Sequence, residues 1–341
     1  MNSQGFDQVL ERLAAGAGTY FGDASAAIVP VARLERPFSS LLRLQVKTST
    51  RVFHAFLKVF KPRHSTKDEL AQLRRWAERE YNATARLHAS LSGRQGLSAV
   101  RPIAVFPDRL ALVTEEVSGV PLDRMLSGGL WRGAPPAPLS TIARNIGAWI
   151  GMYQQVTASS GVLSLAERRD YLDARLRGLV AAGVLSSGEH ARVLARFDAL
   201  AAAVDPAALG LVAIHADLCP GNVFIGAGGA VTVLDFAMAK TGARFHDVAH
   251  LYMHLEMQRW RWRSRNQIVA GMKPALLSGF DTRTTAVDPL FRLMLLQHIV
   301  CHIAQLAQVE AGLRGRAQRW RARRRWERCM QFEGVELQLS H

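Results

Sequence analysis

His215, Asp217 and Asn222 stand in an H-x-D-x-x-x-x-N spacing, Asp235-Phe236 follows, and Asp247 closes the window VAIHADLCPGNVFIGAGGAVTVLDFAMAKTGARFHD. Three carboxylates and one amide converge in this short stretch. Pro220-Gly221 is a turn signal, and the apolar runs Val223-Phe224-Ile225 and Val231-Thr232-Val233-Leu234 are joined by Gly226-Ala227-Gly228-Gly229, so the window reads as a loop followed by a hairpin. A hairpin of that length returns the chain and brings Asp235 back beside Asn222. An Asn and an Asp side by side, both oxygen donors, suit a hard cation such as magnesium that also holds phosphate oxygens. Asp217, upstream of Asn222, is placed to orient a hydroxyl and take its proton. That is the layout of phosphoryl transfer from a nucleotide.

The same window resembles the catalytic loop and metal-binding loop of the protein-kinase-like fold. Ala216 stands where protein kinases usually carry Arg, and Cys219-Pro220-Gly221-Asn222 follows. The stretch is therefore most similar to the aminoglycoside phosphotransferase and choline kinase branch, whose loop reads H-G-D-x-x-x-x-N before a D-F or D-W pair. The resemblance implies an α+β, bilobal fold with a small antiparallel-sheet lobe carrying one helix and a larger, mainly helical lobe. It implies ATP and Mg2+ as cofactors, with ATP lying between the lobes and its terminal phosphate passing to a hydroxyl of a small molecule or sugar. Asp217 would be the base, His215 would brace the loop, Asn222 and Asp235 would hold magnesium, and Asp247 would support the loop's backbone. A carboxylate at a helix N-terminus is also favoured by the helix dipole alone, which fits Asp247 equally well.

At 341 residues and 37.6 kDa the chain can hold one large domain or two moderate ones with a real core. Hydrophobic residues at 49% and charged residues at 21% are those of a soluble globular protein, which excludes disorder over most of the chain. The N-terminal MNSQGFDQVLERLAAG lacks the basic and apolar regions of a signal peptide, and Pro289 to Leu313 is broken by Arg292, His298 and His302, so it reads as a buried helix. Cys219, Cys301 and Cys329 give neither a disulfide framework nor zinc spacing, which fits a reducing, cytoplasmic setting. The net charge of +15 points to anionic partners.

The elements that must position the chemistry precede it. Phe6, Val9, Leu10 and Leu13 predict one amphipathic lead-in helix within residues 1–35. Ser39–Thr48 and Arg51–Phe60 predict an antiparallel hairpin about Ser49-Thr50. The resemblance places a phosphate-covering loop around Pro37-Phe38-Ser39-Ser40, with Ser39 and Ser40 as nucleotide contacts, although no G-x-G-x-x-G is present. Lys58 sits among apolar strand formers, with Lys61 as its rival just beyond the run. Thr66 and Glu69 predict a capping box for the helix that follows, whose apolar stripe runs through Leu70, Leu73, Ala77, Tyr81, Thr84 and Leu87. Glu80 falls on that stripe, where a carboxylate is costly unless paired, so Lys58 on the phosphates with Glu80 as its anchor is the expected pair. The strands RPIAVF and RLALVTEEV lead into the expected linker, whose backbone at Glu115, Glu116 and Val117 would meet an adenine. The boundary falls there, giving a nucleotide-binding lobe at 1–117 and a catalytic, acceptor-binding lobe at 118–341. Beyond a Gly/Pro loop at 128–138, helices are predicted at Leu139–Val156, 164–182 and 187–204. His246, His250 and His254 recur at helical spacing, but no motif completes a metal site and they read as ordinary helix histidines.

Two arginine-rich stretches complete the reading: RWRWRSR at 259–265 and RGRAQRWRARRRWER at 314–328, with Trp260, Trp262, Trp320 and Trp326 interleaved. They argue against a polycationic acceptor and for a neutral or anionic one. As solvated helix faces they carry no partner. As a surface they fit an anionic glycan or the inner face of a membrane, making the protein cytoplasmic and peripheral, while specific nucleic acid binding is not expected. The alternatives to a small-molecule kinase are a lipopolysaccharide- or glycan-type sugar kinase at the membrane surface and a catalytically weak kinase-like binding module, the latter favoured by the missing glycine loop.

Overall fold

A computed structural model describes residues 4–127, 135–157, 160–261, 266–284, 286–307 and 313–330. The chain opens with α1 (Gln4–Ala15) and α2 (Ala17–Phe21), then β1 (Ala27–Glu35), β2 (Ser39–Lys47), β3 (Val52–Phe60) and α3 (Lys67–Leu91). Short strands follow: β4 (Leu97–Ala99), β5 (Pro102–Phe106), β6 (Ala111–Glu115) and β7 (Val120–Pro121). Next come α4 (Leu122–Ser127), α5 (Leu139–Val156), α6 (Leu165–Ala181), α7 (Ser187–Ala202), β8 (Leu211–Ile214), β9 (Val223–Ile225), β10 (Val231–Val233) and β11 (Lys240–Ala243). The chain then runs through α8 (His246–Arg261), α9 (Asn266–Phe280), α10 (Pro289–Ala307) and α11 (Leu313–Cys329). The class is α+β, as expected.

Two compact units result. Unit 1 comprises Met1–Leu122 and Gly221–Ala239, and unit 2 comprises Asp123–Pro220 and Lys240–His341. The division differs from a single break after residue 117, because β10 pairs in parallel with β4 and β9 pairs with β7, which ties the hairpin to the first unit.

Unit 1 is built on a sheet of order β1-β2-β3-β6-β5, in which each neighbouring pair is antiparallel. Side chains alternate across β3 with the period of two that strands impose. Ala55, Leu57 and Val59 join Phe6, Val9 and Leu13 of α1 in one buried cluster, while Phe60 joins Leu73, Ala77 and Leu112 in the other. Lys58, two residues from Phe60, therefore shares the Phe60 face. The lead-in segment does more than expected: α1 and α2 cover one side of the sheet, and β1 adds an edge strand that the sequence did not suggest. Pro30 lies at a register shift on this edge, which is where a strand tolerates proline. Thr66 accepts the Glu69 N–H at 3.2 Å, but the capping box is only half formed. The Glu69 carboxylate instead takes the backbone N–H groups of Arg63, His64 and Ser65 at 2.7, 2.8 and 2.8 Å, stitching down the loop before α3.

Among its described residues, unit 2 is helical apart from the antiparallel pair β8 and β11. Gly147 of α5 and Gly279 of α9 mark where these two helices approach closely. A Cβ at Gly147 would meet Leu276 O at 2.1 Å, and one at Gly279 would meet Arg144 O at 2.1 Å. α10 is long and apolar enough to cross a membrane, with a mean hydropathy of 1.4, but it is largely buried and Leu290, Phe291, Leu293, Leu296 and Ile299 sit in the core of unit 2. The histidines expected on one helix are joined by two from another: His246 and His250 of α8 lie 4.5 and 4.6 Å from His298 of α10, and His254 lies 6.4 Å from His302, centroid to centroid. Among the described residues no three or more His, Cys, Asp or Glu side chains gather into a metal-binding cluster, at the histidines or elsewhere. None of the three cysteines forms a disulfide. The stretch 128–134 and the side chains of 259–265, Trp260 and Trp262 included, lie outside the described residues.

Candidate active site

In unit 1, the hairpin register sets the geometry. Val231, Thr232 and Val233 pair with Ile225, Phe224 and Val223, and the Leu234 N–H donates to the Asn222 carbonyl at 2.9 Å. Asn222 at one end of the hairpin and Asp235 at the other thus become neighbours. Asp235 has φ +69°, a left-handed conformation that Asp tolerates better than most residues. Its carboxylate Oδ1 accepts from Lys58 Nζ at 2.8 Å.

Lys58 Nζ also donates to Glu80 Oε2 at 2.8 Å and Oε1 at 3.1 Å, and lies 4.8 Å from the centre of the Phe60 ring. The structure thereby brings Lys58, Glu80 and Asp235 into one triad, with Lys61 outside it. Burial alone would push the lysine ammonium down, but the two carboxylates outweigh that and hold it above the ordinary lysine range. Glu80 moves up instead, because burial and the nearby Asp235 carboxylate together outweigh its lysine. The two shifts share a cause: one cation serves two anions, and the deeper anion bears the desolvation.

Lys61 has another job. Its ammonium pairs with the Glu35 carboxylate and donates to the Arg36 carbonyl at 2.9 Å, while its N–H donates to the Phe38 carbonyl at 2.9 Å. It clips the turn between β1 and β2. Ser39 and Ser40, expected to face phosphates, are the first residues of β2 and are buried, and the Ser40 hydroxyl donates to Glu35 at 2.7 Å. The exposed part of the turn is Arg36–Phe38. At the expected linker, the N–H groups of Glu115 and Glu116 already donate to the Arg101 and His54 carbonyls at 2.9 and 2.8 Å, so a base could use neither without opening the sheet. Their side chains pair with arginines, Glu115 with Arg51 and Glu116 with Arg43. Val117 follows β6 outside any strand.

In unit 2, the loop that carries His215, Ala216 and Asp217 hangs on Asp247. This fully buried carboxylate accepts the His215 N–H at 2.7 Å and the Ala216 N–H at 3.0 Å. Burial would raise its pKa, but the His246 ring and the donated N–H groups outweigh that and hold it below the usual carboxylate range. His215 is fully buried, and its Nδ1 accepts the Asp217 N–H at 3.3 Å. Ala216 adopts φ +66°, a strained position for an alanine. The turn leaves Asp217 exposed, while Leu218 and Pro220 beside it are buried.

The donor set fits magnesium in kind. Asn222 and Asp235 offer neutral and anionic oxygens at adjacent positions, and two protein ligands are what a magnesium ion uses when phosphates and water complete its shell. Sequence reasoning missed the direct Lys58–Asp235 ion pair and the Arg79 guanidinium on the Ala237 carbonyl at 3.4 Å, because neither partner's pattern announces the other.

The sequence matches the phosphotransferase enzyme family over residues 34–281. No curated protein matches it. Three solved structures share the fold at low identity. An aminoglycoside phosphotransferase from Alicyclobacillus acidocaldarius is 17% identical with a TM-score of 0.54, covering 88% of this chain and 90% of its own. A macrolide 2'-phosphotransferase from Brachybacterium faecium is 16% identical with a TM-score of 0.53, covering 94% and 98%. A choline kinase from Cryptosporidium parvum is 12% identical with a TM-score of 0.52, covering 96% and 94%.

Proposed function

This chain belongs to the phosphotransferase enzyme family, and from that premise we propose that it is an ATP-dependent kinase transferring the terminal phosphate to a hydroxyl of a neutral or anionic small molecule or sugar. It is an enzyme with an alcohol-type acceptor. The observation that carries the finer reading is the Lys58–Glu80–Asp235 triad at the end of the hairpin that also carries Asn222. Lys58 binds a nucleotide phosphate, and Glu80 holds the ammonium in place before the nucleotide arrives. Asn222 and Asp235 would hold magnesium, which would supply charge neutralisation for the transferring phosphate. Asp235, which accepts from the Lys58 ammonium, would have to share or release it to serve as a metal ligand. Asp217 orients the acceptor hydroxyl and accepts its proton, while His215 and Asp247 fix the loop that presents it.

The relatives' names range over aminoglycoside, macrolide and choline acceptors. Charge narrows the choice: with a net +15, a polycationic acceptor would meet an opposing field. The setting is the cytoplasm, at the inner face of a membrane or beside an anionic glycan. The test is transfer from γ-labelled ATP to a panel of sugars, amino alcohols, aminoglycosides and anionic glycans. A labelled neutral or anionic product formed by the wild-type protein and lost in Asp217→Asn is expected. Nucleotide binding with no transfer to any acceptor would favour the binding-module alternative, and preference for an aminoglycoside would refute the charge argument.

A further inference from the structure

α11 carries Arg314, Arg316, Arg319, Arg321, Arg323, Arg324, Arg325 and Arg328 against a single acid, Glu327. A helix turns by about 100° per residue, so the side chains from Arg316 onward divide by face. Ala322, Trp326 and Cys329 are fully buried and define the inward side. Trp320, Arg324, Arg321 and Arg316 lie on the other side and are exposed. The two tryptophans sit on opposite faces: Trp326 is buried, and Trp320 is 61% exposed.

The inward side is anchored by chemistry as well as packing. Arg323 donates to both oxygens of Glu189 at 2.7 Å and to the Val184 carbonyl at 3.2 Å, and the Trp326 ring N–H reaches Glu189 at 3.3 Å. Arg323 therefore belongs to the fold and not to the outward surface. Outside, the charges are poorly matched. Among the described residues Arg316 and Arg321 enter no ion pair, and Arg324 has only a 3.7 Å contact with Glu327. The Arg324 guanidinium lies 5.6 Å from the centre of the Trp320 ring.

A large indole in water beside uncompensated guanidinium groups is unfavourable on two counts: lost apolar burial and like-charge repulsion. A layer of phosphates above an apolar interior relieves both. We infer that the outward face of α11 docks on an anionic phospholipid bilayer, with Arg316, Arg321 and Arg324 on lipid phosphates and Trp320 in the interfacial layer. Tryptophan favours that depth, and guanidinium groups bind phosphate oxygens in pairs. Nucleic acid would meet the charges too, but it uses an exposed tryptophan as a stacking platform, and Arg324 already lies over that ring. The helix spans about 25 Å, long enough for several headgroups.

The test is cosedimentation of the full chain with vesicles of phosphatidylcholine alone or with about 30% phosphatidylglycerol, at low and high salt. Binding to the anionic vesicles only, weakened by salt, is expected. Each outward arginine is worth roughly fivefold in partition, so the triple variant Arg316→Gln, Arg321→Gln, Arg324→Gln should lose about a hundredfold. Trp320→Ala should weaken binding and remove the blue shift of emission seen on adding vesicles. Arg323 is left intact, and equal melting temperatures and equal nucleotide binding show that the variants are folded. The readout needs no phosphoryl transfer, so it stands whether or not the acceptor assignment does. Wild-type protein that ignores anionic vesicles, a triple variant that binds them undiminished, or tighter binding to single-stranded DNA at the same salt would each overturn the inference.

Discussion

Removing Lys58 should destabilise the protein far more than removing its partner Glu80, because the ion triad is lopsided. The Lys58 side chain is 14% exposed, Glu80 is 8% exposed and Asp235 is 44% exposed. In Glu80→Gln the ammonium keeps Asp235 at 2.8 Å and can still donate to the new amide oxygen, so the loss is about 1–2 kcal/mol. In Lys58→Met the half-exposed Asp235 returns to water, but Glu80 stays buried with no counter-charge, which costs about 3–5 kcal/mol. The difference of about 2–3 kcal/mol corresponds to roughly 1 M in urea midpoint. Tryptophan fluorescence can follow it, since Trp76 packs against Phe60 next to the triad. A second signature is the pH dependence. Burial already raises the Glu80 pKa, and without Lys58 it rises further, so the folded state holds a proton that the unfolded state has released. A raised folded pKa adds stability at low pH that is lost as pH rises through it, so the gap between Lys58→Met and wild type should narrow on going from about pH 8 to about pH 5.5. Equal midpoint losses for the two variants, or a gap that does not change with pH, would refute the triad.

Acidification should weaken the wild-type protein through the histidine stack of α8 and α10. Burial pushes His254 and His302 down to about 4, and pushes His250 and His298 in the same direction. A depressed folded pKa gives stability that is present above the unfolded value and lost as pH falls, so His254 and His302 should each remove about 1 kcal/mol between about pH 7 and about pH 5.5, read as a falling urea midpoint. A flat midpoint over that range would contradict the buried, neutral rings. Ala216→Gly should raise stability by about 0.5–1 kcal/mol with activity retained, because φ +66° strains alanine and not glycine; a lower melting temperature would count against it. Lys61→Met should raise the KM for ATP roughly threefold to tenfold while kcat holds, by loosening the Arg36–Phe38 turn. An unchanged KM would mean that the clip does not position that turn.

Where a residue's neighbours fixed its environment locally, the sequence could be read. Lys58 among strand formers and Glu80 on a helical stripe each marked a buried charge needing a partner, and they are in contact. The turn and two apolar runs around Asn222 and Asp235 foretold the hairpin. Long-range pairing was not legible. Nothing in Leu97-Ser98-Ala99 announces that it will pair with Val231-Thr232-Val233, yet that pairing moves Gly221–Ala239 into the first unit. β1 was missed because its residues are largely exposed and Pro30 interrupts the pattern. Ser39 and Ser40 were placed by analogy with a glycine loop, whereas the strand begins at Ser39 and both residues are buried. Arg323 looked like its arginine neighbours until the fold set Glu189 against it.

The proposed division of labour gives the acceptor to Asp217 and the nucleotide's metal to Asp235. The most direct measurement is the Mg·ATP dissociation constant beside the phosphoryl-transfer rate in Asp217→Asn and Asp235→Asn. The account predicts that Asp217→Asn loses roughly a hundredfold or more in rate with nearly unchanged Mg·ATP affinity, and that Asp235→Asn weakens Mg·ATP binding itself. An Asp217→Asn protein that transfers phosphate at the wild-type rate, or an Asp235→Asn protein that binds Mg·ATP as tightly as wild type, would contradict it.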